Sequence, residues 1–277
     1  MFITGAAAGI GRATALTFAR NGFTVGGYDI DEVGLKSLAD EIDELGGKSV
    51  VGHLDVTDTD EMTRRVGEFA KAAGDRLDVL INNAGILLAG RFEEIEPAAH
   101  LKEIDINTKG VVNGLHAAFP YLRATPKSVV VNLASASAIY GQAELAVYSA
   151  TKFFVRGITE ALDIEWTRYG IRVIAIWPLY VQTAMTDHIK TGTTESLGIN
   201  LTAQDVRCDR RRRRAVVAAA GHPSGALPGR GADQGVGDSR TVLARVAAAV
   251  DQQAADRYVS GHFGIVGRLR SHQCRSG

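Results

Sequence analysis

The chain has only two cysteines, Cys208 and Cys274, in 277 residues. Their wide separation matches neither a disulfide framework nor the close spacing of zinc ligands. Long apolar runs are also lacking, and no stretch reaches the roughly 18 uninterrupted apolar residues of a membrane span. The first residues do not resemble a secretory signal, because Arg12 and three glycines interrupt them. These absences predict a cytoplasmic protein with no metal site and no membrane partner.

Lysine and glutamate are missing from the C-terminal part of the chain, since the last of each are Lys190 and Glu195. Residues 205–277 carry 13 basic side chains, all arginine, and 6 acidic ones. Residues 1–204 carry 18 basic and 25 acidic side chains, so the net charge of zero conceals two regions of opposite sign. We interpret residues 1–204 as one folded domain and residues 205–277 as an atypical tail rich in arginine, alanine and glycine.

The tail contains five consecutive arginines, Arg210 to Arg214. Such a run is compatible with contact to nucleic acid or another anionic surface, or with a solvated arm. The composition of residues 221–240 indicates disorder. We hypothesise a reading-frame shift near residue 206, because shifted codons of a GC-rich gene yield arginine, alanine, glycine and proline. Sequencing the coding DNA tests this: an alternative frame that encodes a helix and an apolar strand supports the hypothesis, and its absence removes it.

Short β-rich runs alternate with helix-length segments in the first part of the chain. The helical segments carry apolar residues at three-and-four spacing, as in the stripe formed by Leu35, Leu38, Ile42 and Leu45. This alternation predicts a parallel sheet covered on both faces, which is a doubly wound α/β fold. The first run is shorter than the usual five or six residues, so we expect its strand to begin upstream of Met1. The strand-like runs are Phe2–Ile3, Thr24–Tyr28, Ser49–Leu54, Val79–Ile81, Val129–Leu133 and Arg172–Trp177.

The segment FITGAAAGIGRATA contains the first strand and opens a helix. Gly5, Gly9 and Gly11 allow a sharp turn and a close approach of the backbone to a ligand. The helix N-terminus beyond them offers free N–H groups and a partial positive charge to a pyrophosphate. The spacing differs from the G-x-G-x-x-G fingerprint, so the loop alone leaves a plain strand–helix connection as an open alternative.

Polar residues at the ends of the next strands favour a dinucleotide site. Asp29 lies 18 residues after Gly11, close to the offset of about 20 at which a carboxylate accepts both ribose hydroxyls of NAD. A carboxylate there repels a 2′-phosphate, so NAD is favoured over NADP. Asp55 ends the third strand, where it is placed to meet the adenine, and Asn82 to Gly85 follow the fourth. Open α/β sheets bind ligands at the carboxyl ends of such strands.

Four motifs in this order resemble the short-chain dehydrogenase/reductase family. They are Thr4-Gly5-xxx-Gly9-Ile10-Gly11, Asn82-Asn83-Ala84-Gly85, Ser135 in NLASAS and Tyr148-xxx-Lys152. The resemblance covers roughly residues 1–204 and implies a Rossmann-type fold, a nicotinamide cofactor and reversible oxidation of an alcohol to a ketone or aldehyde. It also implies a homo-oligomer if the tail permits one, and it assigns catalysis to Ser135, Tyr148, Lys152 and Asn107. The cofactor-binding residues that it implies, together with those named above, are Gly5, Gly9, Ile10, Gly11, Asp29, Asp55, Val56, Asn82, Ala84, Gly85, Tyr148, Lys152, Pro178, Val181 and Thr183.

Tyr148 and Lys152 have the chemistry that hydride transfer needs. Oxidation of an alcohol requires a base for the hydroxyl proton, and reduction requires an acid at the same place. A free tyrosine, with a pKa of about 10, is poorly matched to neutral pH. Four residues on a helix place Lys152 on the same face as Tyr148, where its positive charge favours the phenolate and where it can hold the nicotinamide ribose. Ser135, 13 residues before Tyr148, is placed to hydrogen-bond the substrate oxygen. By resemblance, Asn107 holds a proton-relay water.

Other interpretations stay open from the sequence. Tyr148 and Lys152 alone are an ordinary helix-surface pair, and Ser137 is close enough to replace Ser135. A chain that binds NAD without turnover would be a regulator or scaffold, although such a sensor does not need these three side chains. Nucleic-acid binding through Arg210 to Arg214 is a further alternative. Apolar candidates for a substrate pocket favour a lipophilic alcohol or ketone, and they are Leu87, Leu88, Ile139, Leu179, Tyr180 and Met185.

Overall fold

A six-stranded parallel sheet forms the centre of the computed structural model, which describes residues 1–178, 181–182 and 201–202. Its strands are β1 (Phe2–Thr4), β2 (Thr24–Asp29), β3 (Lys48–His53), β4 (Val79–Asn82), β5 (Val129–Leu133) and β6 (Arg172–Ile176). They pair in the order β3-β2-β1-β4-β5-β6. The strand order reverses between β1 and β4, which is the switch point of a doubly wound sheet. A separate parallel pair joins β7 (Val181–Gln182) to β8 (Leu201–Thr202).

Helices cover both faces of this sheet, so the predicted doubly wound α/β fold of Rossmann type is confirmed. The helices are α1 (Gly9–Arg20), α2 (Glu32–Glu44), α3 (Thr59–Ala72), α4 (Pro97–Ile104), α5 (Gly110–Ala124) and α6 (Ala146–Trp166). Residues of α1 and α2 pack in the core on one face. Residues of α3, α5 and α6 pack in the core on the other. Short 3-10 helices occur at Phe92–Glu94, Ala136–Ala138 and Thr167–Tyr169.

The helix α2 shows how local sequence produces these elements. Asp31 precedes the helix, and its side chain accepts a hydrogen bond from the backbone N–H of Gly34, which satisfies one of the free donors of the first turn. Leu35, Leu38 and Ile42 then recur on one side of the helix and are all buried. Leu45, the fourth member of the predicted stripe, follows the end of the helix and is exposed, so the helix packs through the first three members only.

The short strand β1 is held from both sides. Phe2 pairs with Gly26 of β2 and with Leu80 of β4. Its fully buried ring stacks on Tyr28, with ring centroids 4.5 Å apart. Ile3 is also fully buried and belongs to the core on the opposite face of the sheet. Three residues are thus enough to place the following turn at the centre of the sheet edge.

One continuous helical run extends from Pro97 to Ala124. It consists of α4, a five-residue π-helical segment at Asp105–Lys109, and α5. A π segment widens the helix locally, and such segments occur frequently at functional sites. This one contains Asn107, one of the predicted catalytic residues.

Several predictions from the sequence fall outside the described residues. These include the domain boundary at residue 204, the tail at 205–277 with its arginine run, and the side chains of Val181 and Thr183. The pocket candidates Leu179, Tyr180 and Met185 lie outside as well. Within the described part of the chain, no helix combines the length and the apolar character needed to cross a membrane.

Candidate active site

The carboxyl ends of β1, β4 and β5 bring the predicted site residues to one edge of the sheet. The side chain of Asn83, just after β4, donates a hydrogen bond to the backbone oxygen of Gly5, just after β1, at 2.9 Å. Lys152 of α6 donates from Nζ to the backbone oxygen of Leu133, the last residue of β5, at 2.8 Å. A Cβ atom built on Gly85 would lie 3.8 Å from the same Nζ. The glycine loop and the Tyr148–Lys152 pair therefore belong to one continuous site.

The glycine loop fits a pyrophosphate. Gly5 and Gly9 have φ angles of 68° and 54°, in the left-handed region that favours glycine. A Cβ atom on Gly11 would lie 1.9 Å from the backbone oxygen of Gly5, so only glycine allows this close packing. Ala8, which precedes α1, provides no side-chain cap, and the first turn contains no acidic residue. Ile10, in that first turn, is partly buried against the core. The helix N-terminus thus presents N–H groups and a partial positive charge without a competing carboxylate.

Asp29 lies beside this loop, at the end of β2. Its Oδ2 atom accepts a hydrogen bond from the backbone N–H of Ala7 at 2.9 Å, and its Oδ1 atom accepts one from Asp31 at 3.2 Å. The nearby guanidinium of Arg12 points to α2, where it forms a 3.0 Å salt bridge with Glu41. The carboxylate of Asp29 is therefore placed at the loop edge, as expected for a residue that meets a ribose.

Asp55 and Val56 follow β3 and lie next to the end of β2, since the backbone N–H of Leu54 donates to the backbone oxygen of Asp29 at 2.9 Å. Asp55 is exposed, and hydrogen bonds from the backbone and side chain of Thr57 lower the pKa of its carboxyl. Val56 is buried. Asp55 and Val56 thus lie at the same edge of the sheet as Asp29, and their contact with adenine stays a prediction.

The two asparagines after β4 have different surroundings. Asn83 donates from Nδ2 to the backbone oxygens of both Thr4 and Gly5, while the Oγ1 atom of Thr4 accepts from the backbone N–H groups of Asn83 and Ala84. Asn82 instead donates from Nδ2 to Asn132 of β5 at 2.9 Å. Thr4 and Asn83 brace the glycine loop, yet the sequence-based list of cofactor-binding residues omitted them. The alternation of side chains along a strand is the signal that separates Asn82 from Asn83.

The side chains of Ser135, Tyr148 and Lys152 are 9%, 9% and 6% exposed, respectively. The Lys152 ammonium lies 5.4 Å from the centroid of the Tyr148 ring. Burial lowers the pKa of Lys152 to about 8, and the negative charge of Glu103 opposes part of this decrease. An ordinary surface pair would be exposed, so the structure excludes that alternative for Tyr148 and Lys152.

Ser135 follows β5 and is held in a network of hydroxyl and amide groups. Its Oγ atom accepts a hydrogen bond from the backbone N–H of Ser137 and donates to the Ser137 hydroxyl, both at 3.2 Å. Ser137 in turn donates to the Oε1 atom of Gln142 at 3.3 Å. The backbone oxygen of Pro178 accepts a hydrogen bond from the backbone N–H of Ala136 at 3.0 Å. This contact places Pro178, the last residue of the continuous stretch 1–178, next to the residue that follows Ser135. Ser137 thus connects Ser135 to Gln142, and the assignment of Ser135 rather than Ser137 to the substrate stays a prediction.

Asn107 is buried and connects three elements. Its Oδ1 atom accepts from the backbone N–H of Ile86, and its Nδ2 atom donates to the backbone oxygen of Ile86, both at 2.8 Å. Nδ2 also donates to the hydroxyl of Thr151 on α6 at 3.2 Å. A Cβ atom on Gly85 would lie 3.0 Å from Oδ1. Asn107 therefore fixes the chain after β4 against α6 in the immediate surroundings of Lys152.

Two groups of apolar pocket candidates lie in the described part of the chain. Leu87 and Leu88 are half-buried, whereas Ile139 is exposed. Glu103 is a further buried side chain near these residues, and it accepts a hydrogen bond from the backbone N–H of Leu88 at 2.9 Å. The sequence does not single out Glu103, because the charged residues Lys102 and Asp105 lie within two positions of it.

The chain belongs to the short-chain dehydrogenase family, since the model of that family matches residues 1–194. The resemblance derived from the four motifs is thereby confirmed. Membership in this family, together with the fold, makes the chain an oxidoreductase that uses a nicotinamide cofactor.

Particular relatives agree with this assignment. The chain is 37% identical over 194 residues to 3-oxoacyl-[acyl-carrier-protein] reductase FabG of Thermotoga maritima, covering 70% of this chain and 78% of that one. It is 34% identical over 184 residues to cyclohexanol dehydrogenase of Acinetobacter sp., covering 66% and 73%. The structure of 3-ketoacyl-(acyl-carrier-protein) reductase from Brucella melitensis, complexed with NADH, superposes with a TM-score of 0.67 at 29% identity, covering 74% and 85%. A similar structure from Beutenbergia cavernae holds NADP, so these relatives leave the choice of cofactor open.

Proposed function

We propose that this protein is an NAD-dependent oxidoreductase that interconverts a lipophilic alcohol and the corresponding ketone, with Tyr148 as the general acid and base. The observation that carries the proposal is the nearly buried pair of Tyr148 and Lys152, with the ammonium 5.4 Å from the phenol ring. This pair lies at the carboxyl edge of the sheet, next to the glycine loop. A buried lysine is destabilising, so its presence beside a tyrosine argues for a chemical role.

Four side chains have separate roles in the proposed reaction. When bound, the nicotinamide ring accepts hydride from the alcohol carbon or returns it to the ketone. In oxidation, the Tyr148 phenolate takes the hydroxyl proton, and in reduction the phenol gives that proton back. The Lys152 ammonium favours the phenolate, and the Ser135 hydroxyl hydrogen-bonds the substrate oxygen as charge develops on it. Asn107 holds the backbone at Ile86, which fixes the wall of the site beside Lys152.

The preference for NAD rests on Asp29. Its carboxylate lies at the loop edge, where it can accept hydrogen bonds from ribose hydroxyls but repels a 2′-phosphate. Arg12 of α1 could attract such a phosphate, but its charge is already engaged by Glu41. The proposal therefore predicts tighter binding of NADH than of NADPH, which titration of the purified chain with each cofactor measures by fluorescence.

Substitution of Asp29 by alanine is expected to lower the preference for NADH over NADPH by about 10- to 100-fold, because hydrogen bonds to a charged group contribute about 1.5–3 kcal/mol. Loss of the repulsion should also strengthen NADPH binding. Asp43→Ala is the matched control, since it removes an equally charged but exposed carboxylate from α2. A preference that is the same in Asp29→Ala, Asp43→Ala and the wild type would contradict the role of Asp29.

The lipophilic substrate class rests on Leu87 and Leu88, which are half-buried beside the site. The names of the relatives, a 3-oxoacyl reductase and a cyclohexanol dehydrogenase, support ketone and ring-alcohol chemistry for those proteins. We expect turnover with ring or long-chain secondary alcohols to exceed that with small charged hydroxy acids. Comparison of kcat/KM for the two groups tests this, and a preference for the charged acids would refute it.

The remaining expectations stay predictions. A homo-oligomer, if the tail permits one, is tested by measuring the mass of the protein in solution. A cytoplasmic location is tested by cell fractionation. Nucleic-acid binding through Arg210 to Arg214 lies outside the described residues, and salt-dependent binding that is lost on removing residues 206–277 would favour it. A regulator without turnover would bind NADH yet process no alcohol or ketone.

A further inference from the structure

The role of Glu103 is not explained by the proton transfer described above. Glu103 belongs to α4, four residues before Asn107, and its side chain is 0% exposed. One carboxylate oxygen accepts the hydrogen bond from Leu88, while Oε2 is buried and has no hydrogen-bond partner in the part of the chain that the structure describes. Buried acids are rare unless their charge is compensated, so this position requires an explanation.

Glu103 and Asn107 hold the same segment of backbone. Asn107 binds both the N–H and the C=O of Ile86, and Glu103 binds the N–H of Leu88 two residues further on. This segment begins directly after Gly85, which lies against both Asn107 and Lys152. The helical run that contains the two side chains thus fixes residues 85–88 along the wall of the active site.

A buried cation acts on Glu103 from α6, which packs against α4. Burial raises the pKa of the Glu103 carboxyl above its ordinary value, and the hydrogen bond from Leu88 and the charges of His100 and Lys152 offset only part of this rise. Conversely, the charge of Glu103 supports the protonated form of Lys152 against the effect of burial. The acid and the base are therefore electrostatically coupled inside the protein.

The other groups around Lys152 do not supply a negative charge of this kind. β5 contributes the neutral backbone oxygen of Leu133, and the π-helical segment contributes the neutral amide of Asn107. Tyr148, on the same helix, becomes negative only as phenolate. Among the described residues, Glu103 is the acidic side chain whose charge favours the protonated form of Lys152.

We propose that Glu103 is a positioning residue of this active site, whose carboxylate fixes residues 86–88 and serves as the buried counter-charge of Lys152. Its effect on turnover rests on the proposed function, but the coupling between Glu103 and Lys152 can be measured without turnover. Glu103 acts through Lys152 and the backbone, and it does not touch the reacting atoms.

The direct test is the titration of Lys152 by NMR in protein with ¹³C-labelled lysine, with the signal assigned by its absence in Lys152→Met. Glu103→Gln removes the charge and keeps an oxygen for the N–H of Leu88. We expect the Lys152 midpoint to fall by on the order of one pH unit. Asp105→Asn, which removes an exposed charge from the same helical run, is the matched control and should leave the midpoint unchanged.

A folded Glu103→Gln with the midpoint of the wild type would overturn the proposal. Glu103→Asp provides a second check, because it keeps the charge on a shorter side chain. Its midpoint should stay within about half a pH unit of the wild type, and a fall as large as that in Glu103→Gln contradicts the charge effect.

Turnover provides a separate measurement. In Glu103→Gln, Lys152 should lose its charge at a lower pH than in the wild type. The decline of alcohol oxidation with rising pH should therefore begin at a lower pH than in the wild type or in Asp105→Asn. A structural role alone would change stability without moving this pH profile. If the wild type lacks turnover but the midpoint shifts, the proposed function fails and the coupling stands. If turnover is present but neither midpoint nor profile moves, the coupling fails and the function stands.

Discussion

Replacing Tyr148 by phenylalanine is expected to reduce turnover by about 10³-fold and to leave NADH affinity nearly unchanged. The substitution removes only the hydroxyl group that exchanges a proton with the substrate. The phenyl ring keeps the packing of Tyr148 beside the Lys152 ammonium. Steady-state kinetics with a secondary alcohol and with its ketone measure the first effect, and NADH fluorescence titration measures the second. Both reaction directions should lose activity, because the same hydroxyl serves as acid and as base.

Tyr140→Phe is the matched control for this experiment. Tyr140 is exposed and lies in the loop between Ser135 and α6, so loss of its hydroxyl should change turnover little. Retention of wild-type turnover in Tyr148→Phe would refute the assigned acid and base. Loss of NADH binding together with turnover would point instead to damage of the fold, which comparison of thermal unfolding with the control would reveal.

The sheet and the Tyr148–Lys152 pair could be predicted from the sequence because both follow from local periodicity. Strand β5 was predicted with the observed bounds, Val129–Leu133, because a strand buried on both faces appears as a largely apolar run, here with Asn132 as its one polar residue. The spacing of four between tyrosine and lysine places them on one helical face regardless of the remaining fold. Such features depend on short stretches of chain, which the sequence displays directly.

The surroundings of the site depended on contacts between distant residues. Asn82 and Asn83 are adjacent and chemically identical, but Asn83 holds Thr4 and Gly5 while Asn82 binds Asn132. The direction of the strand pleat decides between them, and the exact bounds of β4 are needed to assign it.

Glu103 and the π-helical segment show the same limitation. An acid that directly follows Lys102 and lies two residues before Asp105 is typical of an exposed helical face, but Glu103 is buried where α4 packs against α6. The widened turn at Asp105–Lys109 interrupts the regular helical period. A regular helical pattern that is continued through this turn would therefore assign residues of either α4 or α5 to the wrong face of the helix. Tertiary contacts, rather than local preference, determine these positions.

Substitution of Gly11 by alanine is expected to weaken NADH binding by about 10²-fold, since displacement of binding groups by about 1 Å has effects of that size. The added Cβ would lie 1.9 Å from the backbone oxygen of Gly5 and 2.6 Å from Nδ2 of Asn83. Relief of this overlap must move the glycine loop away from the ends of β1 and β4. The same overlap should lower the free energy of unfolding by about 1–3 kcal/mol. Fluorescence titration and chemical denaturation measure the two effects.

Gly157→Ala is the matched control, because it adds the same methyl group to a helix at a position where, apart from the adjoining backbone of that helix, no heavy atom of the described residues lies within 4 Å of the new Cβ. Alanine is the better helix former there, so this variant should gain about 0.5–1 kcal/mol of stability and bind NADH as the wild type does. If the added methyl group destabilises the protein in Gly11→Ala and stabilises it in Gly157→Ala, the requirement for glycine at position 11 comes from the close approach of α1 to β1. Equal binding in both variants would contradict the placement of the cofactor loop, because a loop that tolerates the displacement cannot be the surface that holds the pyrophosphate.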